Sequence, residues 1–161
     1  MSLKGDRHEF LTDVSYFGNS VMTRGGVVSL STVGSGAALD QSQALVAYSA
    51  SSTGALPLGI LLNDMVSIDV TRQHLNWYRD ETLIGGKVAV GRKGWWVTNN
   101  LIAGAAAIAA GDIAVLTSSG NIMNVTAASE FTTWNRSNNP RVGRFMSTLD
   151  EDGYAKVSPD L

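Results

Sequence analysis

Two histidines, His8 and His74, and not one cysteine make up the chain's supply of side chains that titrate near neutrality or bind soft metals. A cysteine–histidine dyad therefore cannot form, and a histidine-rich metal site would run short of ligands. His74 lies close in sequence to Asp69, Asp80 and Glu81, but no Gly-x-Ser-x-Gly elbow presents a serine for it to activate. Both histidines read as ordinary surface or interface residues. The acidic runs Asp80-Glu81 and Asp150-Glu151-Asp152 would be the only material for a small β-barrel hydrolase. Neighbours on a strand point to opposite faces, however, so neither run supplies a converging acid and base. Asp150-Glu151-Asp152-Gly153 also lacks the alternating ligand spacing and distal glutamate of a calcium hand, and reads as a solvated hairpin turn. Gly34-Ser35-Gly36 and Gly85-Gly86 open no helix and carry no Lys-Ser/Thr ending, which makes them turns rather than phosphate loops. The expectation is a non-enzymatic protein with no catalytic residues, no metal and no cofactor.

What remains is a set of side chains suited to binding. Trp95-Trp96 places two adjacent indoles on one expected strand, where period-two alternation sends one into the core and the other outward. Trp77, beside Tyr78, and Trp134 fall in expected loops. Trp77, Trp95, Trp96 and Trp134 are thus candidate interface aromatics, because tryptophan is enriched where protein surfaces meet. A carbohydrate platform would use the same residues, so a carbohydrate- or receptor-binding β-domain of a phage tail or lectin-like protein stands as the alternative. Near the start, Phe10, Leu11, Val14, Tyr16, Phe17 and Met22 are too apolar for a segment that stays solvated. Such a segment is expected to order on a partner, and adding a strand to a partner's sheet edge is one way to do so.

These groups need a frame, and the pattern of the chain predicts an all-β one. Residues 1–24 hold both signs of charge and no sustained period of 2 or 3.6, and read as an extended N-terminal arm. Residues 25–161 read as the body: short β-branched runs separated by glycine, serine and asparagine, the look of strands bounded by turns. Strands are predicted at 27–33, 44–49, 58–62, 66–71, 86–90, 95–98, 113–117, 122–125, 141–147 and 154–157. Three hairpins are expected, turning at Gly91-Arg92-Lys93-Gly94, at Ser118-Ser119-Gly120-Asn121 and at Asp152-Gly153. Only 72–82 and 126–135 could coil into a helical turn or two. Pro57, Pro140 and Pro159 sit at predicted strand edges, where a missing N–H does least harm. Many short strands without crossover helices point to a barrel or sandwich.

Composition narrows the class further. A chain of 161 residues can bury a real core in one domain without disulfides or metals. Twelve basic and fourteen acidic residues give a net charge of −2 with the signs scattered, so no nucleic-acid partner is expected. The first ten residues, Met1-Ser2-Leu3-Lys4-Gly5-Asp6-Arg7-His8-Glu9-Phe10, do not read as a secretory signal. The most apolar window, 101–116, falls short of the ~20 apolar residues of a spanning helix, so no membrane is expected either. Charged residues make up only 16%, where an isolated domain usually carries about 25%. A surface so poor in charge suits either a protein much of whose outside is covered or one whose surface is rich in serine, threonine and asparagine and merely neutral.

Several pieces, taken in order, resemble phage head decoration proteins. They are Pro57-Leu58-Gly59-Ile60-Leu61, Gly86-Lys87-Val88-Ala89-Val90, Ala109-Ala110-Gly111-Asp112, Ser119-Gly120-Asn121-Ile122, Val142-Gly143-Arg144-Phe145 and Asp152-Gly153-Tyr154-Ala155-Lys156-Val157, spanning about residues 57–158. The resemblance implies a compact β-barrel or β-tulip body and a homotrimer, placed on the outer capsid surface of the virion after synthesis in the host cytoplasm. It also implies an arm that pairs with strands of the major capsid protein. It implies no catalytic residues. The chain departs from the smallest members of that family by extra length at 72–82 and 126–140.

Overall fold

In the computed structural model, residues 3–4, 11–31, 44–67, 77–102, 107–126 and 138–161 are described, with backbone alone at 3–4 and 77. The strands in chain order are β1 (Leu3–Lys4), β2 (Leu11–Asp13), β3 (Phe17–Gly18), β4 (Val27–Ser31), β5 (Leu45–Ala47), β6 (Pro57–Leu61), β7 (Asp64–Val66) and β8 (Glu81–Leu83). They continue as β9 (Val90–Lys93), β10 (Trp96–Thr98), β11 (Leu101–Ile102), β12 (Ile113–Leu116), β13 (Ile122–Val125), β14 (Arg141–Phe145) and β15 (Ala155–Pro159). Among the described residues the helical pieces are two 3₁₀ turns, Trp77–Arg79 and Ser118–Gly120. None of the described helices is long and apolar enough to cross a membrane. The chain is all-β, as its alternating pattern predicts.

Two main sheets carry the fold. One has seven strands in the order β1-β10-β15-β14-β12-β13-β11; the other has six, β2-β9-β6-β4-β5-β3; β7 and β8 form a short parallel pair. The six-stranded sheet curls until its far edge nearly meets its start. Gly18 of β3 donates its N–H to Gly86 O at 3.1 Å, and Val88 N–H donates to Tyr16 O at 3.0 Å, just where the chain runs into β9. The result is barrel-like and nearly closed.

Strands β4 and β6 lie in the middle of this sheet, and β6 and the Val27–Ser29 part of β4 are buried on both faces. Alternation then divides their side chains between two cores. Val27 and Ile60 join Trp96, Leu116, Ile122, Val142, Phe145 and Val157 between the two sheets. Val28, Leu58 and Leu61 join Met22, Val46, Met65, Val88 and Val90 inside the curled sheet. Leu58 and Leu61, three apart, share a side because a bulge intervenes: Val28 pairs with Gly59 and Ser29 with Pro57, leaving Leu58 as the extra residue. The length of the chain suggests a single core, and the doubly buried strands divide it instead.

Two expectations are corrected. The stretch 11–24 is not a detached arm: β2 pairs antiparallel with β9, β3 pairs parallel with β5, and Met22 is 2% exposed in the inner core. Arg24 closes the segment down, its N–H donating to Asp64 Oδ1 at 2.7 Å and its guanidinium to Asp80 at 2.9 Å. The body therefore begins well before residue 25, because short strands interrupted every few residues show no sustained period. The hairpin expected at Gly91–Gly94 is absent as well. Strand β9 runs straight through Gly91-Arg92-Lys93, and the chain then crosses to the other sheet, so β9 and β10 do not pair. Gly94, at φ 132°, makes that crossing in a conformation open to glycine. The other two hairpins form, as β12–β13 and β14–β15.

Candidate interaction surface

The outer face of β10, β15 and β14 gathers the side chains best suited to binding. On the inner face Trp96, Ala155, Val157 and Phe145 enter the inter-sheet core, and the residues between them turn outward. Val97 pairs with Lys156, and Arg144 with Ser158, placing these four on the outer face. Met146 continues the row, its N–H donating to Lys156 O at 2.7 Å. The two neighbouring indoles part here: Trp96 is 3% exposed and Trp95 is 46% exposed. Trp96 is held by contact with the opposite sheet, where a Cβ on Gly91 would lie 2.4 Å from its Cζ2. Trp95 carries the Lys156 ammonium 5.5 Å from its ring centroid, within cation–π range. Met146, 48% exposed, and Leu149 extend the apolar surface.

A pocket of about 230 Å³ opens on the same face, lined by Arg141, Arg144, Met146, Ser158, Pro159 and Asp160. Two guanidiniums three residues apart on one strand should face opposite ways. A second bulge brings them together: Ala114 pairs with Gly143 and Val115 with Arg141, leaving Val142 as the extra residue. The same insertion lets Val142 and Phe145 share the core. Arg141 Nη2 lies 3.5 Å from Asp160 Oδ2 while its Nε is buried with no acceptor. Arg144 Nη1 donates to Gly111 O at 3.0 Å. Neither arginine stands out in the sequence; the consecutive Arg-Val-Gly-Arg would signal a shared face only to a reader who already knew of the bulge.

At the tip of the β14–β15 hairpin the acidic run makes a turn. Asp150 Oδ1 accepts N–H bonds from Asp152 at 3.1 Å and Tyr154 at 2.7 Å, so its carboxylate is committed to the backbone. Glu151 stands exposed at the apex. Among the described residues no three His, Cys, Asp or Glu side chains come together as a cation site.

The remaining candidates are scattered. Leu11 and Val14 are each 56% exposed beside edge strand β2, and no strand lies along the outer side of β2 among the described residues. Asp13 there accepts from both the N–H and the hydroxyl of Ser15, which holds its carboxyl below the usual range. Tyr16 packs on the inner core and Phe17 is half-buried on β3. Phe10, Trp134, His8, His74 and the Trp77 side chain lie outside the described residues. The chain matches no known family model and no curated protein.

Proposed function

We propose that this chain is a capsid decoration, or cement, protein of a bacteriophage. In this reading it is non-enzymatic and assembles as a homotrimer. It docks on the outer surface of the mature head, against the major capsid protein, and stabilises the lattice. One observation carries the reading: the outer face of β10, β15 and β14 presents Trp95 and Met146 to the outside although neighbouring Trp96 is fully used by the core. An indole held in that position costs solubility unless a protein surface covers it. The low charge of the whole chain agrees with a body that is covered on more than one side.

The capsid contact falls to edge strand β2, with Leu11 and Val14 beside it, rather than to a loose arm. An open strand edge accepts an extended segment through main-chain hydrogen bonds. Each such contact is modest, but a trimer engaging several capsid subunits at once gains avidity through effective concentration. Because binding is to the expanded lattice alone, mass action then favours that lattice over its rupture. A carbohydrate platform is the lesser reading, since the Lys156 ammonium occupies one face of the Trp95 ring that a sugar would stack on.

The deciding experiment mixes the purified protein with expanded, undecorated capsids assembled from the cognate major capsid protein. Saturable uptake at three-fold positions, lost in Leu11→Asp/Val14→Asp, is the expected result. Capsids that stay bare, with glycan binding in its place, would overturn the proposal.

A further inference from the structure

We infer that the Arg141–Arg144 pocket is the socket of the contact between copies, and that its occupant is the Glu151 carboxylate of a second copy's β14–β15 hairpin tip. This rests on the trimeric reading above and names the surfaces it uses. The pocket is lined by two arginines and the one carboxylate of Asp160, which is 79% exposed and lies 3.5 Å from Arg141 Nη2, while Arg144 Nη1 donates to Gly111 O. It therefore favours one further carboxylate, and the planar fork of an arginine takes a carboxylate in two parallel bonds. Met146 lines the pocket and Trp95 stands on the same face, supplying the apolar rim that keeps water from such a pair.

The matching acid is on the same chain, at a hairpin tip that lies away from the Arg141 end of the pocket. Arg141 pairs at the far end of β14, and the tip joins the near end, Phe145 to Ala155. Four residues of strand separate these ends by roughly 13 Å, and the turn is held in shape by Asp150. Glu151 at the apex projects beyond the strands that bear the socket. With socket and plug at different places, copies arranged head to tail can each give the plug to one neighbour and the socket to the other. Where the rotation between neighbours closes, such a contact makes a ring, and a trimer is one such ring.

Charge exchange tests this on the full chain. By sedimentation and light scattering over a concentration series, Arg144→Glu alone and Glu151→Arg alone should each raise the concentration for half-assembly by about tenfold or more. The double variant Arg144→Glu/Glu151→Arg should return it close to the parent value, because the pair is restored with its signs reversed. Both positions are exposed, so melting temperatures taken below the concentration of assembly should stay close together and report that all variants fold. A trimer indifferent to either single change, a double variant no better than the singles, or a parent that stays monomeric at every concentration would each overturn the inference. Capsid uptake measured in parallel separates the two failures. An unaffected trimer that still coats capsids removes this contact and leaves decoration standing, whereas a trimer that obeys the exchange but leaves capsids bare removes decoration and leaves the contact.

Discussion

The six-stranded sheet curls nearly shut, while the seven-stranded sheet stays open, and the two divide the work of the molecule accordingly. In the curled sheet β6 and the first half of β4 are buried on both faces and spend their side chains on two cores. Little of that middle is left for a partner, and its binding potential lies at its edge, β2. The open sheet buries one face against the first and keeps the other outside, where the same strands that supply Val157 and Phe145 to the core present Lys156, Arg144 and Met146 outward. Closure thus produces stability and openness produces surface. The pair Trp95 and Trp96 stands at the boundary between these uses.

The largest effect should come from attacking the closure itself. Removing residues 1–24 deletes β2, β3 and Met22, and with them two of the six strands and a core side chain. We expect the shortened chain to lose cooperative unfolding, followed by circular dichroism. A shortened chain that melts like the parent would show that the first strands are accessory and restore the detached-arm view. Next, Trp96→Ala should cost about 3–5 kcal/mol in denaturant unfolding, as expected for removing a buried tryptophan. Trp95→Ala should move stability by no more than about 0.5 kcal/mol and weaken assembly or docking instead. Equal losses of stability at the two positions would erase the distinction between core face and working face.

An intermediate effect probes the seam that joins the two sheets. Gly26 N–H donates to the Tyr48 hydroxyl at 3.0 Å, that hydroxyl donates to Thr23 O, and the ring fills the place a Cβ on Gly120 would take. Tyr48→Phe leaves the Gly26 N–H without its acceptor and should cost about 1–3 kcal/mol. Desolvation raises the Tyr48 pKa above its ordinary 10.0, so the folded state favours the neutral phenol. That contribution is complete below the ordinary value and declines as pH climbs past it toward the folded value. The parent should therefore lose stability on the alkaline side more steeply than Tyr48→Phe. Parallel pH profiles would place the alkaline sensitivity elsewhere.

Much of the frame was legible before any coordinates. The runs expected as strands at 27–33, 58–62, 113–117, 122–125 and 141–147 hold β4, β6, β12, β13 and β14 to within two residues at each end, and the two hairpins turning at Ser118–Asn121 and Asp152-Gly153 formed, because alternation and turn chemistry are local properties. The third expected hairpin failed on the same local signal. Two glycines flanking a short polar run allow a turn but do not require one, and the decision lay with which sheet offered β10 a partner. Strands as short as β2 and β3 left no period to read, since their place is set by edges supplied from β9 and β5.

By itself, then, the sequence determined the class of structure, two of the three expected hairpin turns and the split between neighbouring indoles, all of which follow from local alternation, turn chemistry and side-chain size. Only tertiary structure decided which strands share a sheet, where one apolar run serves two cores, and that Arg141 and Arg144 look into one pocket. Each of those depends on pairing register, and a bulge of one residue reverses the facing of every side chain beyond it. No residue type in the chain announces such a shift. It arises from how two strands distant in sequence meet.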